Sequence, residues 1–272
     1  MKVFVFMIDA LEYNLVEKYD LHFLKQKQYG KIVVPVDPRL GIPLSPTVWS
    51  SFLTGQIIHR DFVTPVRPLT PVFKIMRLLR GLIGRGWGLH KKLKKLFPAC
   101  VHGQYFHDFP KVQNSFLEKV NSVAYNVPGI NYDAKVFELL KTYEKNLEKL
   151  LPLFNKLYEK RKREILRLPA DADLVCAYIH EIDFIQHFCP NEEFIKQYYY
   201  DLDSFAYLLK QYFPKHAFII VSDHGFDFRR KNHSLYAFYS SSISLFPKPK
   251  RITDFHDLIL RLVKSPSGKN TL

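Results

Sequence analysis

The chain has 272 residues, of which 47% are hydrophobic and 24% charged, a composition that excludes a disordered or low-complexity protein. Its formal net charge of +14 favours anionic partners such as phosphate esters, nucleic acid or an acidic lipid surface. No apolar run approaches the ~18 residues of a membrane span, and the three cysteines are odd in number and form no disulfide framework. We therefore expect a globular protein of a reducing compartment, the cytoplasm.

The first third of the chain predicts strands that alternate with helices. Lys2–Ile8 is continuously apolar, as expected of a strand covered on both faces, and it ends at Asp9 without a secretory cleavage site. A helical pattern over Leu11–Tyr19 is followed by a second predicted strand, Lys31–Val36. A second helix is predicted over Pro46–Leu53.

Residues 60–125 interrupt this alternation, because they are rich in proline and contain no strong strand pattern. Within Phe73–Phe97 there are eight Lys and Arg residues and no acidic residue. We interpret 60–125 as a cap-like insertion in a single domain that spans residues 1–272. The basic 73–97 segment predicts contact with an anionic polymer or a membrane surface, and a solvated charged surface is the alternative.

The second half of the chain resumes the alternation. Strands are predicted over Leu174–Ile179, Phe218–Ser222 and Tyr236–Ser240. Helices are predicted over Ala134–Leu150, Leu153–Leu168, Glu192–Tyr212 and Asp254–Val263. The whole pattern predicts an α/β fold in which helices cover both faces of a mostly parallel sheet.

Acidic and imidazole side chains follow the predicted strands, and in open α/β sheets ligands gather at the carboxyl ends of the strands. Taken singly, each of these residues is more often a helix cap, a surface group or a structural histidine, so it is their joint placement that indicates a site. Three carboxylates and three imidazoles suit two divalent ions of the zinc or manganese type. The six candidate ligands are Asp9, Asp183, His187, Asp223, His224 and His233.

A candidate nucleophile follows the second predicted strand. Ser45 precedes Pro46, and this pair is typical of a helix that has Ser at its N-cap and Pro at its first position. The positive end of such a helix stabilises an alkoxide and a bound phosphoryl group. We interpret Ser45 as a nucleophile activated by a metal, with Thr47 as the competing hydroxyl and a simple capping role for Ser45 as the alternative.

Segments from the first strand to about residue 240 resemble the alkaline phosphatase superfamily, and most closely its type I phosphodiesterase/nucleotide pyrophosphatase branch. These segments read FMIDALEYNLVEKY, PLSPTVWSSFLTGQIIH, NVPGINY, DLVCAYIHEIDFIQH, FIIVSDHGF and NHSLYAFYSS, and the SDHG signature is the most specific. The resemblance implies the three-layer sandwich of that superfamily. It also implies one metal held by Asp183, His187 and His233, and a second held by Asp9, Asp223 and His224 beside Ser45.

Family members usually carry zinc, with manganese or another divalent ion as the alternative. Two departures from the family pattern concern the segment after the nucleophile helix. The chain has His59-Arg60 where the family usually has His-Gly, and it lacks a clear Asn to hold the phosphate oxygen, for which Thr64 or Arg67 is the candidate.

The function implied is hydrolysis of a phosphodiester or of a nucleotide pyrophosphate through a phosphorylated or nucleotidylated serine. Metal coordination replaces a general base in this mechanism. A phosphomonoesterase or phosphomutase on the same metal core is the first alternative, although the sequence offers no dedicated Arg for the extra phosphate charge. A non-catalytic binder of nucleic acid or acidic lipid is the second. The expected partner is a phosphate ester or nucleotide, and no obligate protein partner is expected.

Overall fold

The computed structural model describes residues 1–38, 40–58, 109, 111–136, 138, 147–188 and 191–265. The strands are β1 (Lys2–Ile8), β2 (Gln28–Val33), β3 (Ser122–Tyr125), β4 (Leu174–Ile179), β5 (His216–Ser222), β6 (Phe226–Asp227), β7 (Asn232–His233) and β8 (Tyr236–Ser241). The helices are α1 (Tyr13–Lys18), α2 (His22–Lys25), α3 (Ser45–Thr54), α4 (Leu147–Ile165), α5 (Glu181–Phe188), α6 (Glu192–Tyr212) and α7 (Asp254–Lys264).

Six of these strands form a central sheet in the order β2-β8-β5-β1-β4-β3. β1 runs parallel to both β4 and β5, and β3 runs parallel to β4, whereas β8 is antiparallel to β2 and β5. The short strands β6 and β7 form a separate antiparallel hairpin. The predicted α/β fold with a mostly parallel sheet is therefore confirmed.

The central strand β1 shows why its sequence is apolar throughout. Side chains alternate between the two faces of a strand, and from Val3 to Ile8 every residue of β1 is fully buried. Phe4, Phe6 and Ile8 pack in one core with α6, and Val3, Val5 and Met7 pack in a second core with α3 and α7. Both faces of the sheet are thus covered, which gives the three layers.

The neighbours of β1 end at the same level as β1 itself. Ile8, the last residue of β1, is paired with Ile179 at the end of β4 and with Ser222 at the end of β5. The residues that follow these three strands therefore start from one edge of the sheet, and the polar segments of the chain meet there.

Several local predictions need correction. β2 covers Gln28–Val33 and not Lys31–Val36, because pairing with β8 sets its limits. Ser122–Tyr125, inside the predicted 60–125 insertion, forms the edge strand β3 of the sheet. The basic 73–97 segment, residues 59–108, and most of the predicted Ala134–Leu150 helix lie outside the described residues, so the predicted insertion and single-domain organisation stay predictions. No helix in the described ranges has both the length and the apolar character that a bilayer span requires.

Candidate metal centre

The six candidate ligands come from four segments at the edge where β1, β4 and β5 end. Asp9 directly follows β1, and Asp223 and His224 directly follow β5. Asp183 lies in the first turn of α5 and His187 in its last turn. His233 lies on the β6–β7 hairpin, which begins two residues after His224. The structure brings all six side chains together.

The first group of ligands is buried and contains Asp9, Asp223 and His224. The His224 Nε2 atom lies 3.4 Å from Asp9 Oδ1 and 3.4 Å from Asp223 Oδ2. This is the set that the resemblance implies for one metal. The three side chains offer two carboxylate oxygens and one imidazole nitrogen, which are ligands that zinc and manganese accept.

The second group contains Asp183, His187 and His233. Asp183 Oδ1 lies 3.3 Å from His187 Nε2 and 3.8 Å from His233 Nε2, and the two imidazole Nε2 atoms are 3.1 Å apart. Asp183 and His233 also form a candidate cluster with His224. The rings of His224 and His233 are stacked with centroids 3.7 Å apart, so the two groups are contiguous.

Backbone carbonyls orient the imidazoles of His224 and His233. His224 Nδ1 lies 3.0 Å from the Gly225 carbonyl oxygen, and His233 Nδ1 lies 2.8 Å from the Pro43 carbonyl oxygen. A carbonyl oxygen only accepts a hydrogen bond, so each Nδ1 carries the proton and each Nε2 presents its lone pair to the carboxylates. This tautomer is the one that binds a metal through Nε2.

Each carboxylate of the first group has one oxygen in a hydrogen bond and one directed at His224. Asp9 Oδ2 accepts from the Tyr178 hydroxyl, and Asp223 Oδ1 accepts from the backbone N–H groups of Ala10, at 3.2 Å, and His224, at 3.0 Å. Asp9 Oδ1 and Asp223 Oδ2 are buried without a hydrogen-bond partner in the described structure.

Asp183 Oδ1 in the second group is buried without such a partner as well. Buried polar atoms are normally hydrogen-bonded, and an unpaired one is costly. Unpaired carboxylate oxygens that converge with imidazole nitrogens are the arrangement expected where cations bind, so these residues fit a divalent metal centre.

Burial shifts the pKa values of the first group in opposite directions for acids and bases. It raises the pKa of Asp223 to about 6, and it raises the pKa of Asp9 well above its usual value, with a further contribution from the charges of Asp223 and Asp183. It lowers the pKa of His224 and of His233 to about 4. Both imidazoles are therefore neutral near pH 7, as metal binding requires.

The pKa of Asp183, the carboxylate of the second group, shifts in the opposite direction. Burial acts to raise the pKa of Asp183, but its interaction with His187 and the charges of His233 and His224 together outweigh burial, and the net pKa of Asp183 is lowered. The same pairing raises the pKa of His187 against the opposing effect of burial. Asp183 is therefore the carboxylate of the centre that ionises most readily.

Ser45 lies beside the first group. Its Oγ is 3.3 Å from His224 Nε2. The prediction that Ser45 is the N-cap of a helix starting at Pro46 is wrong: α3 starts at Ser45, and Leu44 occupies the N-cap without a side-chain cap. The Ser45 hydroxyl is directed at the centre and not at the helix backbone. Thr47, which carries the competing hydroxyl, is 4% exposed in the first turn of the same helix.

Residues around the ligands were only partly identified by sequence reasoning. Glu181, which opens α5 beside the ligands, is buried and contacts the buried Arg161, with Nε 2.6 Å from Oε1. Tyr178, the partner of Asp9, was not identified, because a tyrosine in an apolar strand looks like a core residue. Thr64 and Arg67, the candidates for holding the phosphate oxygen, lie outside the described residues.

Comparison with known proteins gave matches to a family and to solved structures. Residues 3–240 match the family described as "Type I phosphodiesterase / nucleotide pyrophosphatase". Murine ectonucleotide pyrophosphatase/phosphodiesterase 5 matches at 13% identity and a TM-score of 0.43, over 83% of this chain and 57% of that one. An inactive variant of the murine protein in complex with AMP matches equally well. This chain thus spans 57% of the length of the murine protein.

Alkaline phosphatase from the Antarctic bacterium TAB5 matches at 10% identity and a TM-score of 0.50, over 97% of this chain and 98% of that one. At this identity the likeness concerns the fold, and it agrees with the three-layer architecture described above. No match was found among curated proteins.

Proposed function

Because the chain belongs to the type I phosphodiesterase/nucleotide pyrophosphatase family, we propose that it is a metal-dependent hydrolase of phosphodiesters or nucleotide pyrophosphates with Ser45 as its nucleophile. One observation carries this proposal. Buried carboxylate oxygens without hydrogen-bond partners converge with imidazole lone pairs, and the Ser45 hydroxyl lies 3.3 Å from one of those imidazoles.

Two divalent ions are proposed for this centre, with zinc first and manganese as the alternative. Asp9, Asp223 and His224 would hold one ion, and Asp183, His187 and His233 would hold the other. Bound ions supply Lewis-acid stabilisation of the charge on the transferring phosphoryl group and make hydroxyl groups stronger nucleophiles near neutral pH.

The protein residues then have distinct tasks. The deprotonated Oγ of Ser45 forms the new bond to phosphorus, while the bond to the leaving alcohol or phosphate breaks. Water subsequently cleaves the seryl ester and restores the hydroxyl. Ser45 also lies at the N-terminus of α3, where the helix dipole and free N–H groups favour the negative charge of the phosphoryl group.

The substrate class rests on the family and on the charges in the chain. A monoester carries one more negative charge than a diester, and the sequence offers no dedicated arginine for it. Diesters and nucleotide pyrophosphates are therefore proposed ahead of monoesters.

The test combines elemental analysis with a panel of three substrates. Protein loaded with zinc or with manganese is assayed on bis-nitrophenyl phosphate, a nitrophenyl ester of a nucleotide, and nitrophenyl phosphate. We expect about two metal ions per chain and faster cleavage of the two diesters. Preference for the monoester would support the phosphatase alternative. Protein that binds nucleic acid in a salt-dependent manner but takes up no metal would support the non-catalytic alternative.

A further inference from the structure

A buried carboxylate that is not among the candidate ligands lies beneath the centre. Glu12 follows Asp9 by three residues and is 3% exposed. Its Oε2 accepts hydrogen bonds from the backbone N–H of Phe226, at 3.0 Å, and from the hydroxyl of Ser234, at 3.1 Å. Its Oε1 accepts from the backbone N–H of Asn14, at 3.0 Å, and from the hydroxyl of Tyr236, at 3.3 Å.

Two of these donors belong to the segments that carry the imidazole ligands. Phe226 is two residues after His224, and Ser234 directly follows His233. Gly225, which lies between His224 and Phe226, is in close contact with Glu12, because a Cβ atom on Gly225 would lie 2.2 Å from Glu12 Oε2 and 2.4 Å from Ser234 Oγ. Glu12 therefore joins the chain after β1 to both imidazole segments.

The backbone of Glu12 extends this connection to the fourth segment. Its N–H donates to the Tyr199 hydroxyl over 2.8 Å. The side-chain amide of Gln186 donates to the same hydroxyl over 3.0 Å and to the Ala10 carbonyl oxygen over 3.2 Å. Gln186 directly precedes His187, so one buried network joins the segments that hold Asp9, His187, His224 and His233.

We propose that Glu12 is a positioning residue that fixes His224 and His233 relative to Asp9, so that the two metal groups are assembled before the ions bind. This inference rests on the proposed function, since it assigns Glu12 a role toward the metals of that centre. Glu12 contacts none of the reacting groups itself. Groups that orient metal ligands typically contribute about 10- to 100-fold to metal affinity.

The chemistry of the four donors explains why the residue is a carboxylate. An ionised carboxylate accepts at both oxygens, whereas the amide of glutamine accepts at one and donates at the other. In Glu12→Gln, two of the four donors would face an NH₂ group, although the size of the side chain is unchanged. The variant therefore tests the acceptor function separately from packing.

The experiment uses cobalt(II) as a spectroscopic probe in the metal-free full chain. Visible absorption reports the coordination geometry, and titration reports the affinity. Asp203→Asn is the matched control, because Asp203 also accepts from a backbone N–H, that of Leu24 at 2.8 Å, but lies on α6 away from the ligands. We expect Glu12→Gln to weaken cobalt binding at least about tenfold and to alter the spectrum, and Asp203→Asn to do neither.

Thermal unfolding of the metal-free variants completes the test. If Glu12→Gln does not fold, Ser234→Ala, which removes one of the four donors, takes its place and is expected to weaken cobalt binding severalfold. An unchanged spectrum and affinity in the folded Glu12 or Ser234 variant would overturn the inference. Absence of cobalt binding to the unmodified chain would instead overturn the proposed function, so the two failures are distinguishable.

Discussion

The hydroxyl of Ser45 and the imidazole of His224 lie 3.3 Å apart, although 179 positions separate the two residues in the chain. The strand–loop–helix unit that ends in α3 and the loop after β5 are thus folded against each other at one edge of the sheet. A hydroxyl in this position adjoins the buried pair of carboxylates that His224 contacts, and this relationship leads to the first prediction.

Replacing Ser45 by alanine is expected to reduce kcat by at least about a thousandfold, because no other group in the proposed mechanism forms the ester with phosphorus. The measurement is turnover of a nitrophenyl nucleotide ester by the metal-loaded variant, with circular dichroism to verify folding. Thr47→Ser, on the same helix turn, is the control and is expected to keep most of the activity. Full activity in Ser45→Ala would indicate that Thr47 or water, and not Ser45, is the nucleophile.

Removing the metal is expected to destabilise the protein, because the neighbouring buried carboxylates of Asp9 and Asp223 then repel each other. Zinc at about a hundred times its Kd stabilises the folded state by about 2.7 kcal/mol, which thermal unfolding with and without chelator detects. The Asp223→Asn variant should lose most of this stabilisation by zinc.

In the metal-free protein, the same substitution is expected to raise the stability of the folded state. Its new amide donor would lie near His224 Nε2, which is 3.4 Å from Asp223 Oδ2 in the unmodified chain. A hydrogen bond there stabilises by about 1 kcal/mol, so metal-free Asp223→Asn is expected to unfold at a higher temperature than the unmodified protein. A lower unfolding temperature would contradict the interpretation that this cluster is a metal centre.

Zinc affinity is expected to fall as the pH falls below 6. Protons compete with zinc for the carboxylate oxygens, and the pKa of Asp223 is raised to about 6 while that of Asp9 is raised well above its usual value. Above pH 6 Asp223 is ionised and ready to bind, and below it each pH unit weakens zinc binding by at least about tenfold. Calorimetric titrations from pH 7.5 to 5 measure this slope.

Control of zinc binding by the imidazoles of His224 and His233 would give a different pH dependence. His224 and His233 have pKa values lowered to about 4 and stay neutral over the whole range. If titrations extended to pH 4 showed constant affinity down to pH 5 and a fall only near pH 4, the imidazoles of His224 and His233, and not the carboxylates, would control binding.

Gly225→Ala is expected to destabilise the protein by about 1–3 kcal/mol, a typical effect of overpacking. The added Cβ would lie 2.2 Å from Glu12 Oε2 and 2.4 Å from Ser234 Oγ. Gly41→Ala is the control, since Gly41 has a φ of 71° but nothing within 4 Å of an added Cβ. If chemical denaturation showed a smaller loss of stability for Gly225→Ala than for Gly41→Ala, the close approach of Glu12 to Gly225 would be wrong.

The sequence predicted the elements whose residues are buried on both faces. β1 and β4 were predicted with their observed limits, because a continuous apolar run can be satisfied only inside the sheet. β3 and the β6–β7 hairpin were not predicted. β3 has four half-buried residues, and the hairpin strands have two residues each, so their limits depend on pairing partners that are distant in sequence.

The candidate ligands were predictable for a different reason. Asp9 and Asp223 each follow a clear strand, and the spacing of Asp183 and His187 matches one helical turn, which α5 provides. Glu12 could not be identified, since nothing in its local sequence distinguishes a buried carboxylate from an exposed one on an amphipathic turn. Its four donors come from positions 2 to 224 residues away.

Because β1, β4 and β5 end at the same level, an insertion has different consequences for the candidate ligands at different places in this protein. One residue inserted into β1 would shift Asp9 by about 3.3 Å and turn it toward the opposite side of the sheet. An extra residue between α4 and β4, at the far edge, would leave every ligand in place. Relatives of this chain should therefore vary in length at that far edge and keep the spans of these three strands constant.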